Sequence, residues 1–102
     1  MSTEVLTQKK FKLKKAPKYC NIFYNNDVTP FDHVIFLLCK VFKFTPETAH
    51  EKAIEIHKSE RGIIHINSKE VCDLKHEMVA QYCKKLNENG LKFTVEVFEE
   101  DE

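Results

Sequence analysis

The chain has 102 residues, 42% of them hydrophobic and 11% aromatic, which is enough apolar surface for the core of one compact domain. Lys+Arg and Asp+Glu are each 16, so no overall charge draws it toward nucleic acid or a membrane surface. No apolar run approaches the length of a membrane span, and the first residues lack the apolar core of a secretory signal, so a cytosolic setting is expected.

The charges are nevertheless sorted along the chain. Lys9, Lys10, Lys12, Lys14, Lys15 and Lys18 make the front basic, while Glu96 and the stretch from Glu99 to Glu102 make the end acidic. Residues 1–17 are polar and aperiodic and read as a flexible N-terminal arm, a solvated linker or docking tail rather than an RNA-binding segment. Residues 99–102 read as an acidic C-terminal tail. Folding is expected from Lys18, where Cys20, Ile22 and Tyr24 alternate with Tyr19, Asn21 and Phe23, a first strand with bulk on both faces.

Next comes Asn25-Asn26-Asp27-Val28-Thr29-Pro30, which sets short polar side chains between that strand and a helix start. Asn and Asp bond their own main chain and tolerate unusual backbone angles, and Thr29 before Pro30 predicts an N-cap and a first helical position, with Asp32 completing a capping box. Phe31, Val34, Ile35, Leu38, Val41 and Phe42 then recur at helical spacing. Thr45-Pro46-Glu47 repeats the starting device for a second helix to about His57, with Ala49, Ala53, Ile56 and His57 along one side. Arg61-Gly62 is read as a turn before a β-branched strand, Ile63-Ile64-His65-Ile66.

Ser68 caps a third helix whose apolar positions are Val71, Leu74, Met78, Val79, Tyr82 and Leu86, with Asn89-Gly90 as its expected C-terminal stop. The last strand alternates Leu91, Phe93, Val95 and Val97 against Lys92, Thr94 and Glu96. The order β-α-α-β-α-β over residues 18–98 predicts an α+β two-layer sandwich, a three-stranded antiparallel sheet packed against three helices.

Signatures of an enzyme are weak. There is no Gly-rich phosphate loop and no nucleophile motif, and Cys20, Cys39, Cys72 and Cys83 lack Cys-x-x-Cys spacing, so reduced buried thiols are the natural reading. Cys72 and His76 share a helix face at i and i+4, but two further zinc ligands are not evident at the spacing a closed site wants. A metal or thiol enzyme using Cys72, His76, His57 and His65 is the competing class.

The order of elements together with the polar turn resembles the ClpS adaptors, which deliver proteins with destabilising N-terminal residues to the ClpA or ClpC unfoldase. The resemblance covers roughly residues 18–98. It rests on Asn25 through Pro30 (NNDVTP), the helix after it, His57 closing Ala53-Ile54-Glu55-Ile56-His57, and Ser68-Lys69-Glu70-Val71 leading to Lys75. It implies a non-enzymatic monomer without cofactor or metal, in a bacterial cytoplasm or plastid stroma. Its partners would be a ClpA/ClpC-type AAA+ unfoldase and N-degron substrates starting with Phe, Leu, Tyr or Trp. It further implies a pocket in which Asn25 and His57 bond the free α-amino group, Asn26, Asp27 and Thr29 shape the rim, and Phe31, Val34, Leu37, Ala53 and Ile56 form apolar walls. Glu70 and Lys75 match unfoldase-contacting positions.

Local reading alone makes Asn25 and Asp27 ordinary turn formers, His57 a half-buried helix residue, and Glu70 and Lys75 surface charges. The chain also departs from the family pattern. Asn26 stands where an acidic residue is usual, Ala53 and Phe31 where Met is common, and Glu60 where a Gly often follows the His by three residues, so the turn there is expected to bend differently, using Gly62. These departures keep open a diverged module of the same fold that reads another terminus or an internal peptide.

Overall fold

The computed structural model describes residues 17–99, so all of the arm except Pro17 and all of the acidic tail except Glu99 lie outside the described residues. The order is β1 (Lys18–Tyr24), α1 (Phe31–Phe42), α2 (Pro46–Ser59), β2 (Arg61–Asn67), α3 (Lys69–Leu86) and β3 (Lys92–Phe98). The sheet runs β2-β1-β3 with both pairings antiparallel, which makes the first strand the central one. This is the expected two-layer α+β sandwich.

Strand alternation sorts β1 into two faces. Phe23 points toward the helices, 1% exposed, with the rings of Phe42 and Phe93 edge-on to it at 6.0 and 6.3 Å. Around it gather Val34, Leu37, Leu38 and Val41 of α1, Ala49, Ala53 and Ile56 of α2, and Val79 and Cys83 of α3. The polar member of this face, Asn21, is buried but satisfied: its Nδ2 donates to the Cys72 carbonyl at 3.0 Å and its Oδ1 lies 3.0 Å from His65 Nδ1. A buried amide without partners would destabilise the sheet by about 1–3 kcal/mol, so His65 and Cys72 are placed by this need as much as by packing. The β1–β2 register slips between Asn21 and Ile22, where Asn21 pairs with His65 and Ile22 with Ile63. The bulge lets Ile64 enter the core while His65 reaches Asn21.

Helix ends depart from expectation in instructive ways. Thr45 and Ser68 do cap α2 and α3, accepting from the Thr48 and Val71 N–H groups at 3.2 and 3.3 Å. Thr29 does not cap α1; Pro30 holds that place without a side-chain bond, and the Thr29 hydroxyl instead accepts from Asn26 and donates to Glu88. Each helix closes on a left-handed residue that is not glycine, Lys43, Glu60 and Asn87, so neither Gly62 nor Gly90 is the stop. Arg61 and Gly62 lie within β2, opposite Tyr24 and Phe23, and the turn before them is made by Glu60. Gly62 is required for another reason: a methyl there would sit 2.8 Å from Ile56 Cγ1.

The inward stripe of α3 runs through Cys72, His76, Val79 and Cys83 rather than through Leu74, which is 60% exposed. Burial pushes the Cys72 thiol up, and the His76 ring packs on Phe93 at 4.7 Å, so the pair weighed as metal ligands faces the sheet. Among the described residues no three His, Cys, Asp or Glu side chains gather as ligands. Leu91 is buried but precedes β3, and Val97 at the far end is exposed. No helix of the described residues is long and apolar enough to cross a membrane.

Two outcomes follow from these ends and from the buried pair. Replacing Glu60 by Gly relieves a left-handed strain of about 1–2 kcal/mol and gives back part of it as chain entropy, so urea denaturation should show E60G more stable by about 0.5–1 kcal/mol. Burial and then the nearby Lys75 charge hold His65 below the ordinary histidine value, so the folded state binds fewer protons there than the unfolded chain. Stability from this site is therefore present above the ordinary histidine range and is lost as pH falls through it. H65N should flatten the melting-temperature decline between about pH 7 and 5.

Candidate functional site

The polar turn forms a lip over a cavity between β1, α1 and α2. It is pinned where it begins: the Asn25 N–H donates to the Glu60 carbonyl at 2.8 Å, so the left-handed turn after α2 holds the end of β1. Within the lip, Asn26 Oδ1 accepts the N–H groups of Val28 and Thr29, both at 2.8 Å, and its Nδ2 donates to Thr29 Oγ1 at 2.8 Å. This is the Asx turn that the composition allows. Where the lip ends, Thr29 Oγ1 donates to Glu88 Oε2 at 2.9 Å, which fixes it to the turn between α3 and β3. The bare backbone of Gly90 permits that approach, since a methyl would fall 2.3 Å from Val28 Cγ2.

Beneath the lip lies a cavity of about 290 Å³. Its polar side is made by Asn25, Asn26, Asp27, Thr29 and His57, and its apolar side by Phe31, Val34, Ala53, Ile56, Tyr24 and Leu91. A depth of buried aliphatic carbon under a polar mouth suits one bulky apolar side chain attached to a polar group. Leu37 does not line it; at 0% exposure it sits behind the wall in the core. The Phe31 ring stands half-exposed at the mouth, held edge-on to the His50 ring of α2 at 5.5 Å. Tyr24 is braced under Lys92, whose Nζ is 4.7 Å from the ring centre, and its hydroxyl donates to Glu96 at 3.0 Å.

The mouth carries acceptors in three states of readiness. Asn25 is exposed and its Nδ2 makes only a 3.5 Å contact to the His57 carbonyl, so its amide oxygen is turned away from that bond and open. His57 is exposed rather than inward, at the end of the α2 face whose buried members are Ala49, Ala53 and Ile56. Asp27 adds a carboxylate at the exposed tip. Asn26 differs: its oxygen already accepts two main-chain bonds, so it builds the lip and offers a guest nothing further.

Tyr24, Leu91, His50 and Glu88 were not anticipated as site residues. The sequence reads the first two as strand residues, and no local signal marks the others; Glu88 contacts partners 55 and 59 residues away. The two other positions singled out lie on α3. Glu70 is exposed in its first turn, whereas Lys75 is half-buried and its Nζ donates to the Val41 carbonyl at 2.9 Å, closing the end of α1.

Comparison with known proteins agrees with this architecture. The family model described as ATP-dependent Clp protease adaptor protein ClpS matches residues 14–94. A ClpS adapter protein of Bdellovibrio bacteriovorus is 35% identical over 85 residues, 83% of this chain and 74% of that protein. One from Burkholderia mallei is 28% identical over 83 residues, 81% and 80% of the two. Among solved structures, Agrobacterium tumefaciens ClpS2 bound to L-phenylalaninamide superposes with a TM-score of 0.76 at 20% identity, covering 82% of this chain and 100% of that one.

Asn26→Ala removes all three lip bonds at once. It should lower stability by about 1–3 kcal/mol and the melting temperature by about 5–15 °C, read by circular dichroism, with the largest amide-exchange increase at Val28 and Thr29.

Proposed function

The chain belongs to the ClpS family of ATP-dependent Clp protease adaptors, and from that premise we propose that it binds proteins through a free N-terminal bulky hydrophobic residue and hands them to a ClpA/ClpC-type AAA+ unfoldase. In this reading the protein acts as a monomer in the cytoplasm and performs no chemistry of its own. The observation that carries it is the apolar cavity under a lip of open acceptors. A protonated chain start has donors only, so its receptor needs an amide oxygen, a carboxylate or a neutral imidazole nitrogen at the rim. Asn25, Asp27 and His57 supply an amide, a carboxylate and an imidazole, and all line the cavity.

The relative from Agrobacterium supports the choice of guest. L-Phenylalaninamide is a free α-amine, a benzyl side chain and an amide, which is the head of a polypeptide starting with Phe. In this chain the benzyl group would descend toward Val34, Ile56 and Leu91, leaving the amine at the lip. Burying an aromatic side chain contributes about 1.5–3 kcal/mol and each bond to a charged group about as much, so a residue with three such bonds approaches the ~8 kcal/mol of micromolar affinity. Ala53, small and 3% exposed, leaves the wall open where a longer side chain would narrow it, so Phe, Tyr, Trp and Leu are the expected guests.

Glu70 is the exposed group we assign to the unfoldase. Lys75, already bonded to the Val41 carbonyl, can add only the remaining donors of its ammonium. A second reading keeps the fold and changes the guest: because Asn26 brings no charge and its oxygen is spent in the turn, the lip holds one carboxylate, Asp27, and a neutral or internal peptide meets less opposition than at a doubly acidic lip.

Fluorescence anisotropy with labelled peptides separates the two. A Phe-first peptide with a free amine should bind in the micromolar range or tighter, and its N-acetylated and Met-first counterparts at least about tenfold more weakly. His57→Ala should weaken the Phe-first peptide about tenfold with the fold intact. Equal affinity for all three peptides would remove the proposal in favour of the second reading.

A further inference from the structure

Behind the lip stands a carboxylate that the recognition chemistry above does not use. Glu88 is 8% exposed, and its two oxygens receive groups from three separate segments. Oε2 accepts the Thr29 hydroxyl at 2.9 Å and the N–H groups of Gly90 and Leu91 at 2.8 and 2.9 Å; Oε1 lies 2.6 Å from His33 Nδ1 on α1. A buried carboxylate is tolerated only when its lone pairs are filled, and these are. Burial by itself would push the Glu88 carboxyl up, but the bonds from His33, Thr29, Gly90 and Leu91 outweigh it and hold the group below the ordinary carboxylate range.

Two of those partners, Thr29 and Leu91, are themselves walls of the cavity, one on the polar rim and one on the apolar side. Thr29 Oγ1 also accepts from Asn26, so the carboxylate is the inner end of a relay that runs Glu88, Thr29, Asn26 and the lip main chain. We propose that Glu88 is a positioning residue for N-terminal-residue recognition, a clasp that fixes the rim at Thr29 against the wall at Leu91 and so sets the width of the cavity mouth. This rests on the reading that the cavity takes a terminal residue.

The clasp predicts graded effects on affinity. Glu88→Gln keeps one oxygen for Thr29, Gly90 and Leu91 but loses the charge that strengthens those bonds and the carboxylate oxygen facing His33, and Glu88→Ala leaves all four partners facing a void. Phe-first peptide affinity, measured on folded protein well below each variant's melting temperature, should fall about three- to tenfold for E88Q and by more than about tenfold for E88A. Thr29→Val removes the same link from the other side, together with the bond that Thr29 Oγ1 accepts from Asn26. The double variant E88Q/T29V should therefore bind no worse than about twofold below the weaker single variant, far from the product of the two losses.

E88A or E88Q binding as tightly as the unaltered protein while only their melting temperatures drop would overturn the proposal, with the site reading left standing. Fully multiplicative losses in the double variant would overturn it too, since Glu88 would then act without Thr29. Should E88A not fold, the E88Q and T29V cycle decides alone. If the unaltered protein binds no Phe-first peptide, the site reading itself fails and the clasp falls with it.

Discussion

The structure depends on holding a six-residue polar lip, Asn25 to Pro30, rigid without any regular hydrogen-bond ladder of its own. Groups outside helices and strands must find partners, and here they come from three directions: the Glu60 carbonyl takes the Asn25 N–H, the Asn26 side chain takes those of Val28 and Thr29, and the Glu88 carboxylate takes the Thr29 hydroxyl. Each anchor belongs to a different part of the fold, so the mouth of the cavity is the place where α2, the lip and the turn before β3 are tied together. A mouth fixed in this way can present lone pairs without spending binding energy on ordering them, which is the benefit of a preorganised site.

Polar residues of the site divide by exposure, and the division follows their work. Glu88 is buried and Asn26 half-buried, and both are bonded several times over, which suits groups that shape the lip. Asn25, Asp27 and His57 are exposed and lightly engaged, which suits groups that meet something from solution. The apolar residues divide likewise. Val34, Ile56 and Leu91 are buried floor, whereas Phe31 stands at the opening with the His50 ring against one edge.

Much of this was legible in the sequence, and the gaps have a common cause. The strands, the helices and their order follow from periodicity and turn chemistry, whereas the cavity lining was implied by the resemblance to the ClpS adaptors. The same Thr-Pro device opens α1 and α2, yet only Thr45 caps its helix; the Thr29 hydroxyl is drawn into bonds with Asn26 and, across the fold, Glu88, and nothing near Thr29 in sequence could announce the second. Gly62 looked like a turn residue, but it serves as a gap beside Ile56 while Glu60 bears the left-handed angle. Leu74 fitted the helical period of α3, but the inward stripe includes two cysteines and a histidine, residue types that a hydrophobic count passes over. Local chemistry was readable; pairings between distant segments were not.

The central claim, that this cavity receives an apolar side chain while the lip holds the attached amine, is tested most directly by titrating L-phenylalaninamide into isotopically labelled protein and following side-chain amide and methyl resonances. The account predicts saturable shifts confined to the Asn25 amide, the His57 ring and the methyls of Val34, Ile56 and Leu91, all abolished when the amine of the ligand is acetylated. Shifts of equal size with the acetylated ligand, or a response centred away from these residues, would contradict it.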